Sequence, residues 1–399
     1  SAAAPVAAPV AAPVAAPDEA VPPGLELLRT TCLALYPSQT CPLHFYSVLK
    51  YWQGGPDPLD CVLAFAHPGD SEVSPHWHFV TAGLSDLHGD GRVHERAAGP
   101  GDASGFGFEL SFRVRREDPI SPPPQWAARL LQSLARYVFA TGCLISAGDF
   151  VPWPGPLDGS RDSRLQHLLL ASDPRLPPCA QGPLGSVRFP LLLGATADEL
   201  AAAQAWSVPA IASMLPIVTD MRRGESLFDL HPELREMVRD QQEQHGSGLA
   251  AVTCRLMWLD EDGPSGGAAE VTTVSRPHIH VSHEAGLALP DALESRLRKG
   301  RHFTLVSAGG GGHAVSLVPS AVRGVVVTEE LPYAARGLWL HALISDELLE
   351  QMDYEMHCLR LPPDRQEWPR CFRWESKGLA ITVHGPGATL PDPPPDSPI

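Results

Sequence analysis

Phe106-Gly-Phe-Glu-Leu-Ser-Phe-Arg-Val-Arg115 alternates large apolar residues with small or polar ones. Phe106, Phe108, Leu110, Phe112 and Val114 share one parity; Gly107, Glu109, Ser111, Arg113 and Arg115 share the other. A period of two predicts a β-strand with one buried face. A helix is predicted next, over Trp126–Phe139. Trp126, Leu130, Leu131, Leu134, Tyr137 and Val138 fall on one side, and Arg129, Gln132, Ser133 and Arg136 fall largely on the other.

On the N-terminal side, His76–Ala82 reads as a strand and Gly24–Leu35 has helical spacing through Leu25, Leu28 and Leu35. Val48–Trp52 leads into a turn at Gly54-Gly-Pro-Asp-Pro58, where glycine and proline set the backbone angles. On the C-terminal side, Thr196 and Glu199 have capping-box spacing and open a helix through Trp206. Residues 220–250 turn polar, which places a domain division near 250. Strands are expected at Val252–Leu259, His278–Ser282, Phe303–Val306, Ala314–Val318 and Val325–Thr328, with a short flexible connection at Asp260–Gly267. Ser345 is a good N-cap for a helix through Leu348, Leu349 and Met352. Helices and strands mix without regular βαβ alternation, so the fold class is α+β. Residues 22–250 and 251–386 are the expected domains. Residues 1–21, with an Ala-Ala-Pro-Val repeat, and the proline-rich 387–399 are expected tails, because proline every fourth residue blocks a helix.

The chain has 399 residues, enough for two or three domains. It is 44% hydrophobic and 19% charged, which suits a packed core. The formal net charge of −16 repels a phosphate backbone, so direct nucleic-acid binding is not expected, while a basic partner is attracted. The eight cysteines form no C-x-x-C pair and read as reduced, buried thiols of an intracellular protein. The N-terminus lacks the pattern of a signal peptide, and no run of about 18 apolar residues occurs. Cytosol, nucleus or both is the expected location, with no membrane partner.

Four motifs bear on chemistry. His76-Trp-His78 puts two imidazoles on one strand face, with His88 and His94 following. A metal-dependent enzyme built on these four is one reading, and structural histidines are the favoured one. Gly309–Gly312 is followed by a strand pattern, as in a hairpin and unlike a phosphate loop. Asp220-Met-Arg-Arg-Gly-Glu225 suits an anion site, and suits better an internal ion-pair cluster. Asp149 in Ser146-Ala-Gly-Asp-Phe150 is a turn residue or an acceptor for a bound peptide. No G-x-S-x-G, H-E-x-x-H or dinucleotide fingerprint occurs, which agrees with the expectation of no enzyme and no cofactor but does not by itself establish it, since many enzymes carry none of these.

Longer strings carry a resemblance. Val48-Leu-Lys-Tyr-Trp-Gln-Gly-Gly-Pro-Asp-Pro-Leu-Asp60, Pro75-His-Trp-His78, Gly83-Leu-Ser-Asp-Leu-His-Gly-Asp90 and Arg92-Val-His-Glu95 resemble the Suppressor of fused family. So do Ser104-Gly-Phe-Gly-Phe-Glu-Leu110, Leu134-Ala-Arg-Tyr-Val-Phe139, Thr219-Asp-Met-Arg-Arg-Gly-Glu225, Gly300-Arg-His-Phe303 and Thr328-Glu-Glu-Leu-Pro-Tyr-Ala-Ala335, all in the family's order. The resemblance covers about residues 22–385. It implies two α+β domains joined by a short linker, with a peptide-binding cleft between them. It implies a monomeric repressor of Hedgehog signalling that sequesters Gli-type transcription factors. The domains would close on a short extended segment with a Ser-Tyr-Gly-His core, held by strand addition.

Carried over by alignment, the implied peptide contacts are Tyr137, Asp149, the strand Val252-Thr-Cys254, and Glu284. Ile145 stands where the family has an aromatic, and Ala288, between Leu287 and Leu289, where it has a leucine. The family's long phosphorylated insertion is reduced to about Asp260–Glu270. A diverged scaffold that binds a different partner is the alternative.

Overall fold

The structure is a computed structural model that describes residues 21–97, 99, 101–118, 120–262, 271–307, 312–322, 326–361 and 366–391. The two expected tails, the connection at 260–267 and the glycine run at 309–312 fall largely outside these residues. The chain forms two compact units. The first runs to Ala203 and resumes over Val208–Arg235; the second takes Gln204–Ser207 and the chain from Glu236. The division therefore falls before the expected position near 250. The physical reason is local bonding: Ser247 Oγ donates to Gln204 O, Gly248 N–H to Trp206 O, and Lys299 Nζ to Glu243 O.

The first unit holds a seven-stranded sheet. Its order is Leu43–Tyr46 (β1), Cys61–His67 (β2), His76–Ala82 (β3), Ser111–Arg115 (β5), Pro190–Ala195 (β10), His167–Ser172 (β7) and Phe150–Pro152 (β6). Ala103–Phe108 (β4), Gly185–Arg188 (β9) and Ala180–Gly182 (β8) form a three-stranded sheet. Among the described residues, five α-helices belong wholly or mostly to this unit: Pro23–Leu33 (α1), Gln125–Thr141 (α2), Ala197–Ala205 (α3), Val208–Met214 (α4) and Leu227–Leu230 (α5). Both faces of the large sheet are covered. Val62, Ala64 and Phe79 join α2's Leu131, Leu134 and Val138 in one core; Leu63, Phe65 and Val80 join α1's Leu28 and Cys32 in another. Two-sided burial explains the unbroken apolar run Cys61–Phe65.

The opening stretch is two strands, not one. β4 and β5 lie in different sheets, separated by Glu109 and Leu110. Glu109 N–H donates to Arg188 O, whereas Leu110 N–H donates to Thr81 Oγ1. The fully buried Glu109 carboxylate accepts from Gly83 N–H, Ser85 N–H, Ser85 Oγ and Thr81 Oγ1, which pins the switch. Burial still pushes its pKa up, against those four donors. The second parity is not solvent-facing either: Ser111 and Arg113 are both 0% exposed. Arg113 makes a bidentate pair with Asp173 at 2.6 and 3.0 Å, and Ser111 Oγ donates to the same carboxylate at 2.6 Å. With the Ser111 proton committed, His78 Nε2 must donate to Ser111 Oγ (2.8 Å), and Tyr36 OH donates to His78 Nδ1 (2.9 Å).

In the second unit, six strands run in the order Ala251–Cys254 (β11), Phe303–Ser307 (β15), Ala314–Pro319 (β16), Trp339–Ile344 (β18), Tyr333–Arg336 (β17) and Val271–Thr273 (β13). Four more run Leu256–Asp260 (β12), Pro277–Val281 (β14), Leu379–Val383 (β20) and Arg370–Trp374 (β19). Leu234–His245 (α6) enters this unit, followed by His283–Ser295 (α7) and Asp346–Met356 (α8). Leu289, Leu293, Leu348 and Met352 from α7 and α8 share one core with Ile279, Leu305, Leu317 and Leu340.

The expected strand at 252–259 divides between two sheets at Arg255, and 326–328 is not a strand. β15 and β16 pair antiparallel on either side of the glycine run. Ser345 caps α8 as expected, its side chain accepting from Leu348 N–H. At α3 the box is half formed: Glu199 accepts from Thr196 N–H, but Thr196 Oγ1 turns to Asp198. The cysteines are all free, yet only Cys32, Cys61 and Cys254 are buried; Cys41, Cys143 and Cys371 are exposed. Burial pushes the Cys32 and Cys61 thiols up to about 12. Cysteine's apolar preference leaves the exposed three unexplained.

Candidate functional site

β11 is an edge strand. Among the described residues it pairs only with β15, in parallel, with Val252 opposite Leu305. Thr304 N–H donates to Ala250 O. Alternate residues of a parallel strand bond to the same neighbour, so residues 250, 252 and 254 turn their backbone groups inward. The N–H and C=O of Ala251 and Thr253 therefore point off the edge. Side chains follow the same period: Cys254 is buried and Val252 half-buried against the core, while Ala251 and Thr253 are exposed.

α7 packs against β11 and begins beside it. Glu284 is exposed in its first turn, where a carboxylate complements the helix dipole. Its own backbone N–H, and then the Ser282 hydroxyl, hold its pKa below the ordinary glutamate value. Burial first, and then the Glu284 charge, pushes the Cys254 thiol up to about 11. Ala288 lies one turn further along α7, half-buried, between exposed Leu287 and buried Leu289.

In the first unit, the Tyr137–Asp149 segment leads directly into β6, the edge of the seven-stranded sheet. Tyr137 is 52% exposed near the end of α2. A contact with the Cys143 thiol, more than burial, raises its pKa. Asp149 is exposed and holds a turn, its Oδ2 accepting from Ser146 N–H at 2.7 Å. Ile145 is 4% exposed and belongs to the core with α2, so it supports this loop from beneath and offers no surface. The sequence reading missed the β6 edge and the outward groups of Ala251 and Thr253. Pro152 was the available signal for β6, since proline has no ladder donor and collects on edge strands.

The four histidines are held separately. His78 is in the buried network. His76 Nδ1 bonds Ser74 O at 2.7 Å, His88 Nε2 faces Asp60 Oδ2 at 3.2 Å, and His94 Nε2 faces Gly83 O at 2.9 Å. Among the described residues, no group of three or more His, Cys, Asp or Glu side chains is placed to hold a metal ion. The arginines of the 220–225 motif are paired within the unit, Arg222 with Glu117 and Arg223 with Glu199.

Burial lowers His76 and His280 to about 4. The unfolded chain, with ordinary values near 6.5, binds more protons between those limits. The neutral rings stabilise the fold above pH 6.5, and that contribution is lost as the pH falls toward 4. Thermal midpoints are expected to fall steadily from pH 7 to 5, and His76→Gln should flatten the fall. A midpoint constant over that range would refute the assignment.

The chain is a two-unit α+β protein in which each unit ends one sheet on an open strand, β6 in the first and β11 in the second. Among the described residues, no helix is long and apolar enough to cross a membrane. The family model described as Suppressor of fused protein matches residues 55–224, and the one described as Suppressor of Fused Gli/Ci N terminal binding domain matches 232–383. The chain is 35% identical to the Suppressor of fused homolog of Homo sapiens over 462 residues, spanning 94% of this chain and 93% of that protein. The Mus musculus homolog is 34% identical over the same spans. The crystal structure of Drosophila Suppressor of Fused matches with a TM-score of 0.78 at 32% identity, covering 92% of this chain and 98% of that one. A solved structure of a Sufu–Fu complex matches with a TM-score of 0.50 at 42% identity, covering 54% of this chain and 96% of that one. The chain belongs to the Suppressor of fused family, regulatory proteins of Hedgehog signalling.

Proposed function

We propose that the chain is a negative regulator that sequesters Gli-type transcription factors, in cytoplasm and nucleus, by holding a short extended Ser-Tyr-Gly-His segment. The β11 edge, with Ala251 and Thr253 facing outward beside Glu284, is the observation that carries this reading. The segment adds as a strand to that edge. Glu284 and Asp149 meet its histidine or backbone, and Tyr137 packs against it. The 232–383 match supports the reading, since its description names Gli/Ci binding and it spans β11 and Glu284.

Calorimetric titration with a peptide containing Ser-Tyr-Gly-His-Leu tests it. Glu284→Ala and Asp149→Ala are each expected to weaken binding by about 1.5 kcal/mol, a usual size for a hydrogen bond to a charged group. Glu284 stays ionised near neutral pH, so any pH dependence comes from the ligand histidine, whose charged form the acid favours. Affinity should therefore fall as the pH rises from 5.5 to 8.5. Absence of binding by the unmodified chain would overturn the reading. Equal affinity across that range would remove the histidine contact alone.

A further inference from the structure

The first unit contains a cavity of about 570 Å³ that involves none of the proposed peptide contacts. Its apolar wall includes Trp77, Val114, Pro122, Trp126 and Met221. Trp77 and Val114 are opposite one another on β3 and β5, and Trp126 meets Phe112 edge-on, so the wall is continuous with the α2 core. The Arg116 guanidinium lies over the Trp77 ring, 4.8 Å from its centroid, with Nε donating to Asp118 O.

Most of the lining charge is already neutralised. Arg115 pairs with Asp220 at 2.6 Å, Arg222 with Glu117 at 2.7 Å, and Arg223 with Glu199 at 2.6 Å. Three ionic groups are left over. Arg116 has no carboxylate partner among the described residues. Asp158 spends one oxygen on Ser160 N–H and has no cation, and Asp162 has neither hydrogen bond nor ion pair there. Two acids and one base therefore await a partner, on a chain whose net charge is −16.

A cavity of this volume takes a few side chains. Aromatic and proline walls suit an extended chain with aliphatic or proline residues. The surplus of acid selects a basic segment and rejects a polyanion. We propose that this cavity is a second docking site, for a short extended segment of a basic partner protein. An apolar side chain lies against Trp77 and Trp126, a lysine or arginine reaches Asp158 and Asp162, and a carboxylate or carbonyl oxygen accepts from Arg116. This site does not depend on the β11 edge, so either can fail without the other.

Random dodecapeptides displayed on phage, selected on the full chain, test it. Enriched peptides are synthesised and titrated against the unmodified chain, Asp162→Lys and Arg116→Glu. Asp162 holds no ion pair, so Asp162→Lys should keep the unmodified thermal midpoint, whereas Arg116→Glu gives up the bond to Asp118 O and the contact with the Trp77 ring and should lower it slightly. The expected result is a class of peptides with a basic residue close to an apolar one. Asp162→Lys should weaken that class at least about tenfold, equivalent to about 1.4 kcal/mol. Replacing the peptide's basic residue by glutamate should restore binding to Asp162→Lys. If no enriched peptide changes by more than twofold on either variant, or none is enriched, the site is refuted.

Discussion

Asp173→Ala is expected to cost the first unit about 3–5 kcal/mol, the usual effect of removing one partner from a buried ion pair. The carboxylate has four donors around it. Oδ2 accepts from Ser111 Oγ and Arg113 Nη1, both at 2.6 Å; Oδ1 accepts from Arg113 Nη2 at 3.0 Å and Arg175 N–H at 2.9 Å. Arg113 sits on β5, bonded between β3 and β10, with no exposure. Its guanidinium is then left buried without a counter-charge, and its Nε is already unpartnered. The Ser111 hydroxyl loses its acceptor too, so the assigned His78 orientation loses its cause. Urea unfolding, followed by the loss of native tryptophan fluorescence, measures the change. The double variant Arg113→Met/Asp173→Leu is the informative control, because apolar replacement of both charges is often neutral. It should recover most of the loss. If Asp173→Ala alone costs under about 1 kcal/mol, the pair is effectively solvated and the buried network is wrong.

The alternation that made β5 legible also concealed where β4 stops. Phe108, Leu110, Phe112 and Val114 all enter the same core, so the apolar period runs unbroken through the switch at Glu109. The second unit repeats this: Cys254, Leu256 and Trp258 share a core across Arg255, while the strand changes sheets. A period of two reports which side chains face inward. It carries nothing about which strand receives the hydrogen bonds, because those partners come from distant sequence. For Glu109 they come from residues 81–85 and from Arg188. For the same reason Arg113 looked solvent-facing: its acid, Asp173, is sixty positions away.

α2 was legible because a helix satisfies its backbone locally and shows its packing face every third or fourth residue. The candidate site was legible only through family resemblance. Tyr137, Asp149 and Glu284 are ordinary residues locally, and what singles out Glu284 is its place in the first turn of a helix packed on an edge strand. Ile145 shows the limit of carrying positions over by alignment, since burial removes it from any surface.

Thr253→Pro is expected to lower affinity for the Ser-Tyr-Gly-His peptide at least about 100-fold, equivalent to about 2.7 kcal/mol. Proline deletes the N–H that would donate to the incoming strand, and its ring occupies the line of approach. The fold should tolerate it. Thr253 is exposed, its N–H points away from β15, and outward edge positions are where sheets accept proline. Two neighbours make the result readable. Val252→Pro removes a donor on the inward side, toward β15, and should destabilise the sheet itself. Thr253→Ala keeps every backbone group and should bind within about threefold of the unmodified chain, since strand addition takes its affinity from main-chain bonds. Loss of binding in Thr253→Pro, with thermal midpoint kept and Thr253→Ala unaffected, isolates the backbone at one residue. Unchanged binding by Thr253→Pro would mean that the segment does not add to this edge, and any effect of Glu284→Ala would then have to come from side-chain contact alone.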